Sequence, residues 1–203
     1  PPRTPHVLPP PIPLPPRRHR PAVRLARVGH HPRTTQLSGR LVLYAPNVHT
    51  GGGHVLLLGL LAQWPAGVQL LAFVDARARE RTPLPAGTSA HWVEATPWSR
   101  WTAERQLRQQ AASGDTVLCF HGLPPLLSNP AHVVVFQQNR IYLGLMPLSK
   151  FRPRTALRLV FERTVNRWCR GHVDEYIVQT QTMARALTRW HGGQPAVRVL
   201  PFA

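Results

Sequence analysis

Acidic residues are scarce in this chain of 203 residues: there are 8 against 25 basic ones, none occurs before Asp75, and the formal net charge is +17. Lysine is nearly missing too, with Lys150 alone, so the positive charge is arginine. Together with heavy proline and alanine use, this matches the codon bias of a GC-rich genome, which discounts charge as a sign of nucleic-acid binding. A field this basic still favours anionic partners. Cysteine is equally rare. Cys119 and Cys169 are too few for a metal site or a disulfide framework. One falls in an apolar strand pattern and the other in a helix pattern, and both read as buried reduced thiols. Long apolar runs are missing: the longest, Val55 to Ala62, falls far short of the roughly 20 residues that span a bilayer. The N-terminus carries arginine without the apolar core of a secretory signal. These absences predict a cytoplasmic protein, or one peripheral to the inner face of a membrane. The first residue is Pro1 rather than Met, which reads as a fragment.

Residues 1 to 36 read as a disordered tail. Pro10-Pro-Ile-Pro-Leu-Pro-Pro16 favours polyproline II, and such a composition buries no core. Pro13-Leu-Pro-Pro16-Arg-Arg18 fits a P-x-x-P-x-R ligand pattern, but a proline- and arginine-rich tail makes that pattern by chance. From residue 37 to 203 apolar strands alternate with helices. Strands are predicted at Arg40 to Tyr44, Val68 to Val74, His91 to Ala95, Thr116 to Phe120, His132 to Phe136, Glu175 to Val178 and Ala196 to Leu200. Helices are predicted from Gly53 to Gln63, from Thr96-Pro97 to Ser113, from Pro153 to Arg170, and from Thr180 to Trp190. Glu104 and several arginines fall on the outer face of the second helix. Leu157, Phe161, Thr164 and Trp168 form the apolar stripe of the third. The whole predicts an α/β, Rossmann-like fold: a mostly parallel sheet of about seven strands with helices on both faces. Right-handed crossovers then bring the strand-to-helix loops to one edge. Four loops are expected to converge there: Asn47 to Gly53, His121 to Pro125, Gln137 to Arg140, and Gln179 to Gln181.

The first of these loops carries three consecutive glycines, Gly51, Gly52 and Gly53, between a strand and an apolar helix. Bare amides and a helix N-terminus at one point attract phosphate. A dinucleotide fingerprint is a competing reading, supported by Asp75 at the end of strand 2. Against it, Leu56 stands where the third glycine belongs and the turn is long. His121 directly follows strand 4, where it can act as acid, base or hydrogen-bond donor, or be a plain loop histidine. Gln137, Gln138 and Asn139 offer amides that suit polyol hydroxyls, or simple turn chemistry. Arg154, Arg158, Arg163, Arg167 and Arg170 read either as a footprint for an anionic membrane or as the solvated face of the helix. Asp174 and Glu175 are neighbours on a strand and point to opposite faces, so they are no acid/base pair.

In their order these pieces resemble the N-terminal domain of GT-B glycosyltransferases, particularly the retaining group 1 or family 4. The matching stretches are Thr50-Gly-Gly-Gly53, Asp115-Thr-Val-Leu-Cys-Phe-His121, Val133-Val-Val-Phe136, Tyr176-Ile-Val-Gln-Thr180 and Val197-Arg-Val-Leu-Pro201. The resemblance implies transfer of a sugar from a nucleotide-sugar donor to a hydroxyl of a glycan or lipid-linked acceptor, without metal or cofactor. It also implies that Gly51, Gly52 and Gly53 approach the donor diphosphate. His121 takes the catalytic position, and Gln138, Asn139 and Thr180 join the substrate- and donor-binding set. The chain departs from the family at Gln137-Gln-Asn139, where members carry a histidine. It ends at Ala203, about where the family's second, donor-binding domain begins, which reads as the acceptor-side half of an enzyme. Two other classes stand beside this reading: an arginine-rich nucleic-acid-binding module, which lacks interleaved aromatics, and an NAD-binding oxidoreductase.

Overall fold

The computed structural model describes residues 39–144, 146–193 and 195–201. The reading of residues 1 to 36 as a tail lies outside the described residues. The rest is an α/β fold with a seven-stranded, all-parallel sheet in the order β3-β2-β1-β4-β5-β6-β7. The strands are β1 (Leu41–Ala45), β2 (Leu70–Asp75), β3 (Ser89–Val93), β4 (Thr116–Cys119), β5 (His132–Phe136), β6 (Glu175–Val178) and β7 (Ala196–Val199). The central strands are buried on both faces, which is why they read as continuous apolar runs rather than alternating ones.

Four helices make the crossovers: α1 (Gly51–Ala62), α2 (Pro97–Gln110), α3 (Pro153–Cys169) and α4 (Gln181–His191). Leu57 and Leu61 of α1 pack with Leu43, Leu70, Ala72 and Val74 on one face. Leu107 of α2 and Leu187 of α4 pack with Val42, Tyr44, Leu71 and Phe73 on the other. Local signals set the helix ends. Thr96 accepts from the Ser99 amide and Thr180 from the Met183 amide, while Gly192 closes α4 in the left-handed region. Helix α1 begins two residues earlier than its apolar pattern suggests, because the glycines form its first turn. Gly51 has a φ of +69° there, which a side chain would strain.

Two expectations are corrected. Glu104 is not on an outer face: it is 1% exposed. Its carboxylate accepts from the Tyr44 hydroxyl and from the Leu126 amide, with Arg100 nearby. An acid that finds three partners inside overrides the helical pattern that places it outside. The stripe of α3 is likewise turned outward: Leu157, Phe161 and Trp168 are 73, 68 and 79% exposed. Leu159, Asn166 and Cys169 face inward instead. Helix α3 packs on the irregular segment after β5, whose carbonyls find donors on it. Asn166 donates to the Tyr142 carbonyl, and Arg163 to those of Ile141 and Met146. Polar anchoring thus fixes the rotation of this helix.

Candidate functional site

Because all seven strands run parallel and β1, β4 and β5 are neighbours in register, their C-terminal ends share one edge. A cavity of about 470 Å³ opens there, within the size range of small-molecule sites. The loop after β1 contributes Asn47 to Thr50, and the first turn of α1 contributes Gly53. Phe120 and His121 enter after β4, Gln138 and Asn139 after β5. Arg77, after β2, Tyr142, in the segment after β5, and Arg158 and Glu162, on α3, complete the wall.

The electrostatics favour an anion. Thr50 stands at the N-cap of α1 without a side-chain cap bond, and no acidic residue lies in the first turn. The leading amides of the helix are therefore left for water or a ligand. Gly53 leaves its stretch of the wall bare: a Cβ there would only touch the Val48 and Gln138 side chains at 3.8 and 3.9 Å, so it is a larger side chain that would take up the space. Arg77 is braced by Asp75: its Nε and a terminal nitrogen donate to the two carboxylate oxygens at 2.9 and 2.6 Å. Burial pushes the Asp75 carboxyl up, but the bonds from Arg77 and the charges of Arg77 and His49 outweigh it, so its pKa lies below the usual value. Asp75 is thus ionised and fully used inside the protein, unlike a ribose-binding acid. Arg77 in turn is a permanent cation in a fixed orientation.

His121 is half-buried with its ring edge-on to Tyr44. An Arg100 terminal nitrogen lies 2.9 Å from its Nε2. Arginine only donates, so Nε2 accepts and the ring proton sits on Nδ1. Burial, reinforced by the Arg100 charge, holds the pKa well below the ordinary histidine value. The imidazole is therefore neutral at pH 7 and unfit to serve as a charged acid. It orients Arg100, which stacks over the Tyr44 ring and belongs to the buried Glu104 network.

The structure brings together Gly53, His121, Gln138 and Asn139 of the predicted residues. Their side chains are partly spent. Asn139 Oδ1 accepts from the Ile141 amide, and Gln138 Nε2 donates to the Phe120 carbonyl at 3.4 Å. Gly51 and Gly52 are exposed beside the cavity and do not line it. Thr180 is apart from it, using its hydroxyl to cap α4; Gln181 lines a separate open groove between α4 and β7. So three of the four loops line this cavity, while the fourth follows β6 on the same sheet edge without reaching it.

Sequence reasoning missed Arg77, Arg100 and Glu162. The Asp75-x-Arg77 spacing carried a signal for the first. Arg158 and Glu162 form an i,i+4 pair at 3.1 Å, a spacing readable in the sequence and one of only a few it could make, given 8 acids. Burial raises the Glu162 carboxyl above its ordinary value against the pull of Arg158 and Arg100, and its Oε2 is buried without a hydrogen-bond partner.

Among the described residues no group of three His, Cys, Asp or Glu could hold a metal ion, and no helix is long and apolar enough to cross a membrane. Cys119 and Cys169 are both buried free thiols, and Cys169 Sγ donates to the Leu126 carbonyl at 3.9 Å. Comparison of the chain with family models, with curated proteins and with solved structures returned no match.

Proposed function

We propose that this chain is the acceptor-side domain of a GT-B glycosyltransferase, acting on a nucleotide-sugar donor and a glycan or lipid-linked acceptor. One juxtaposition carries the reading. The uncapped first turn of α1 and the braced Arg77 share a cavity with the amides of Gln138 and Asn139. The first pair suits a diphosphate and the second suits sugar hydroxyls. In the transfer the acceptor oxygen bonds to the anomeric carbon as the bond from that carbon to the diphosphate breaks. The diphosphate leaves with the electron pair, and the acceptor hydroxyl's proton passes to the departing diphosphate oxygen. This chain contributes a fixed positive field at the leaving group, which costs no reorganisation as charge develops. Gly53 leaves room for close approach, and His121 acts by holding Arg100 rather than by moving a proton. A cytoplasmic location, peripheral to an anionic membrane face, belongs to the same reading.

Product formation from a panel of nucleotide sugars tests it, with the chain supplied alone and joined to a nucleotide-sugar-binding domain. The joined form is expected to transfer sugar and the chain alone is not. Gly53→Val should cut turnover at least about ten-fold by filling the cavity, a loss of roughly 1.4 kcal/mol of transition-state stabilisation, with an unchanged circular dichroism spectrum. Transfer by neither form would overturn the reading.

A further inference from the structure

A second, mainly apolar chamber of about 320 Å³ abuts the polar cavity. The two share Asn47, Arg158 and Glu162 in their walls. Beyond these its apolar wall includes Leu123, Pro124, Leu126, Phe161 and Val165, while Glu94 and Thr96 also border it. Two of its lining residues, Arg100 and Glu162, each keep a buried polar atom without a protein partner: an Arg100 terminal nitrogen and Glu162 Oε2. One is a donor and the other an acceptor, and buried polar groups are rarely left unmatched without reason. Where the chambers meet, Asn47 and Arg158 offer donors and Glu162 a carboxylate, and a hydroxyl suits both kinds because it donates and accepts at once. The apolar lining continues onto the surface: Phe161 is 68% exposed at the chamber and Leu157, one turn earlier on α3, is 73% exposed.

Resting on the glycosyltransferase reading of the adjoining cavity, we propose that the acceptor is an amphiphile with a hydroxyl-bearing head. The head lies where the two chambers meet, at Asn47, Arg158 and Glu162. The apolar chain runs through the chamber past Leu123 and Leu126 and leaves over Phe161 and Leu157. The arrangement selects against a free glycan, which has nothing to offer the apolar wall. Phe161 sets this preference, because it stands at the junction of chamber and solvent.

The test is binding, not turnover. Octyl glucoside below its micelle concentration and methyl glucoside are titrated into the chain by calorimetry. Each buried methylene strengthens binding about four-fold, so burial of even two makes the octyl compound more than about ten-fold tighter. Phe161→Ser, a change at an exposed position, should weaken octyl glucoside at least about five-fold and leave the circular dichroism spectrum and thermal midpoint in place. Glu162→Gln should weaken the octyl compound through its head. Equal affinity for the two glucosides, or no binding of either, overturns the proposal. A third arm uses vesicles of anionic phospholipid. If Phe161→Ser reduces vesicle binding and leaves monomeric octyl glucoside unchanged, the apolar residues serve a membrane surface and the proposal falls. The two readings fail separately. Octyl glucoside binding without transfer from any nucleotide sugar removes the transferase and keeps the amphiphile site. Transfer with equal binding of the two glucosides does the reverse.

Discussion

Glu104 shows how much one side chain can organise. It joins β1, α2 and the loop after β4 by taking the Tyr44 hydroxyl, the Leu126 amide and the charge of Arg100. Glu104→Ala strands a largely buried guanidinium and an amide, and should cost about 3 kcal/mol, read as a lowered urea midpoint. Tyr44→Phe removes one donor and should cost about 1 kcal/mol. An unchanged midpoint in Glu104→Ala would contradict the network. Gly39 is a different kind of constraint. A Cβ there would sit 1.8 Å from the Gly114 carbonyl oxygen, so the backbones themselves collide. Gly39→Ala should therefore lower the midpoint although alanine restricts the unfolded chain more.

Helix α3 separates apolar composition from burial. Trp168→Ser changes a side chain that is 79% exposed and should move stability by less than about 0.5 kcal/mol. Leu159→Ala, at an inward position of the same helix, should cost roughly 2–5 kcal/mol. Thermal unfolding of the two variants decides it. Equal losses would mean that the stripe of Leu157, Phe161 and Trp168 is packed in solution. Helix periodicity identifies the stripe but not the direction it faces. That direction follows from Asn166 and Arg163 binding carbonyls of the segment after β5, contacts made across 17 to 24 residues.

For the molecule as a whole, the acid side of the stability curve rests on groups that tie strands to helices. Burial pushes the Asp115 carboxyl up, but bonds from the Ala112 amide and from Arg40 more than offset it, so its pKa lies below the ordinary 3.8. Asp75 is lowered in the same direction. A carboxyl depressed in the folded state stabilises above its unfolded pKa, and that stabilisation is lost as pH falls through the folded value. Urea midpoints should therefore drop below about pH 4, and Asp115→Asn should be less stable at pH 7 with a flatter acid limb. A steeper limb in the variant would refute the assignment. Much of this architecture was legible without coordinates. The alternation of apolar strands with capped helices implied a parallel sheet, its ligand edge and three of the loops that meet there, because strand periodicity, Thr96, Thr180 and Gly192 act within a few residues of themselves. Which charges serve the site was not legible. Composition makes nearly every arginine look alike, whereas Arg77 and Arg158, both in the cavity wall, are set apart by the carboxylates they meet, Asp75 and Glu162. Glu104 lies 60 residues from Tyr44 and 22 from Leu126, and no local pattern encodes partners that only the closed sheet brings within reach.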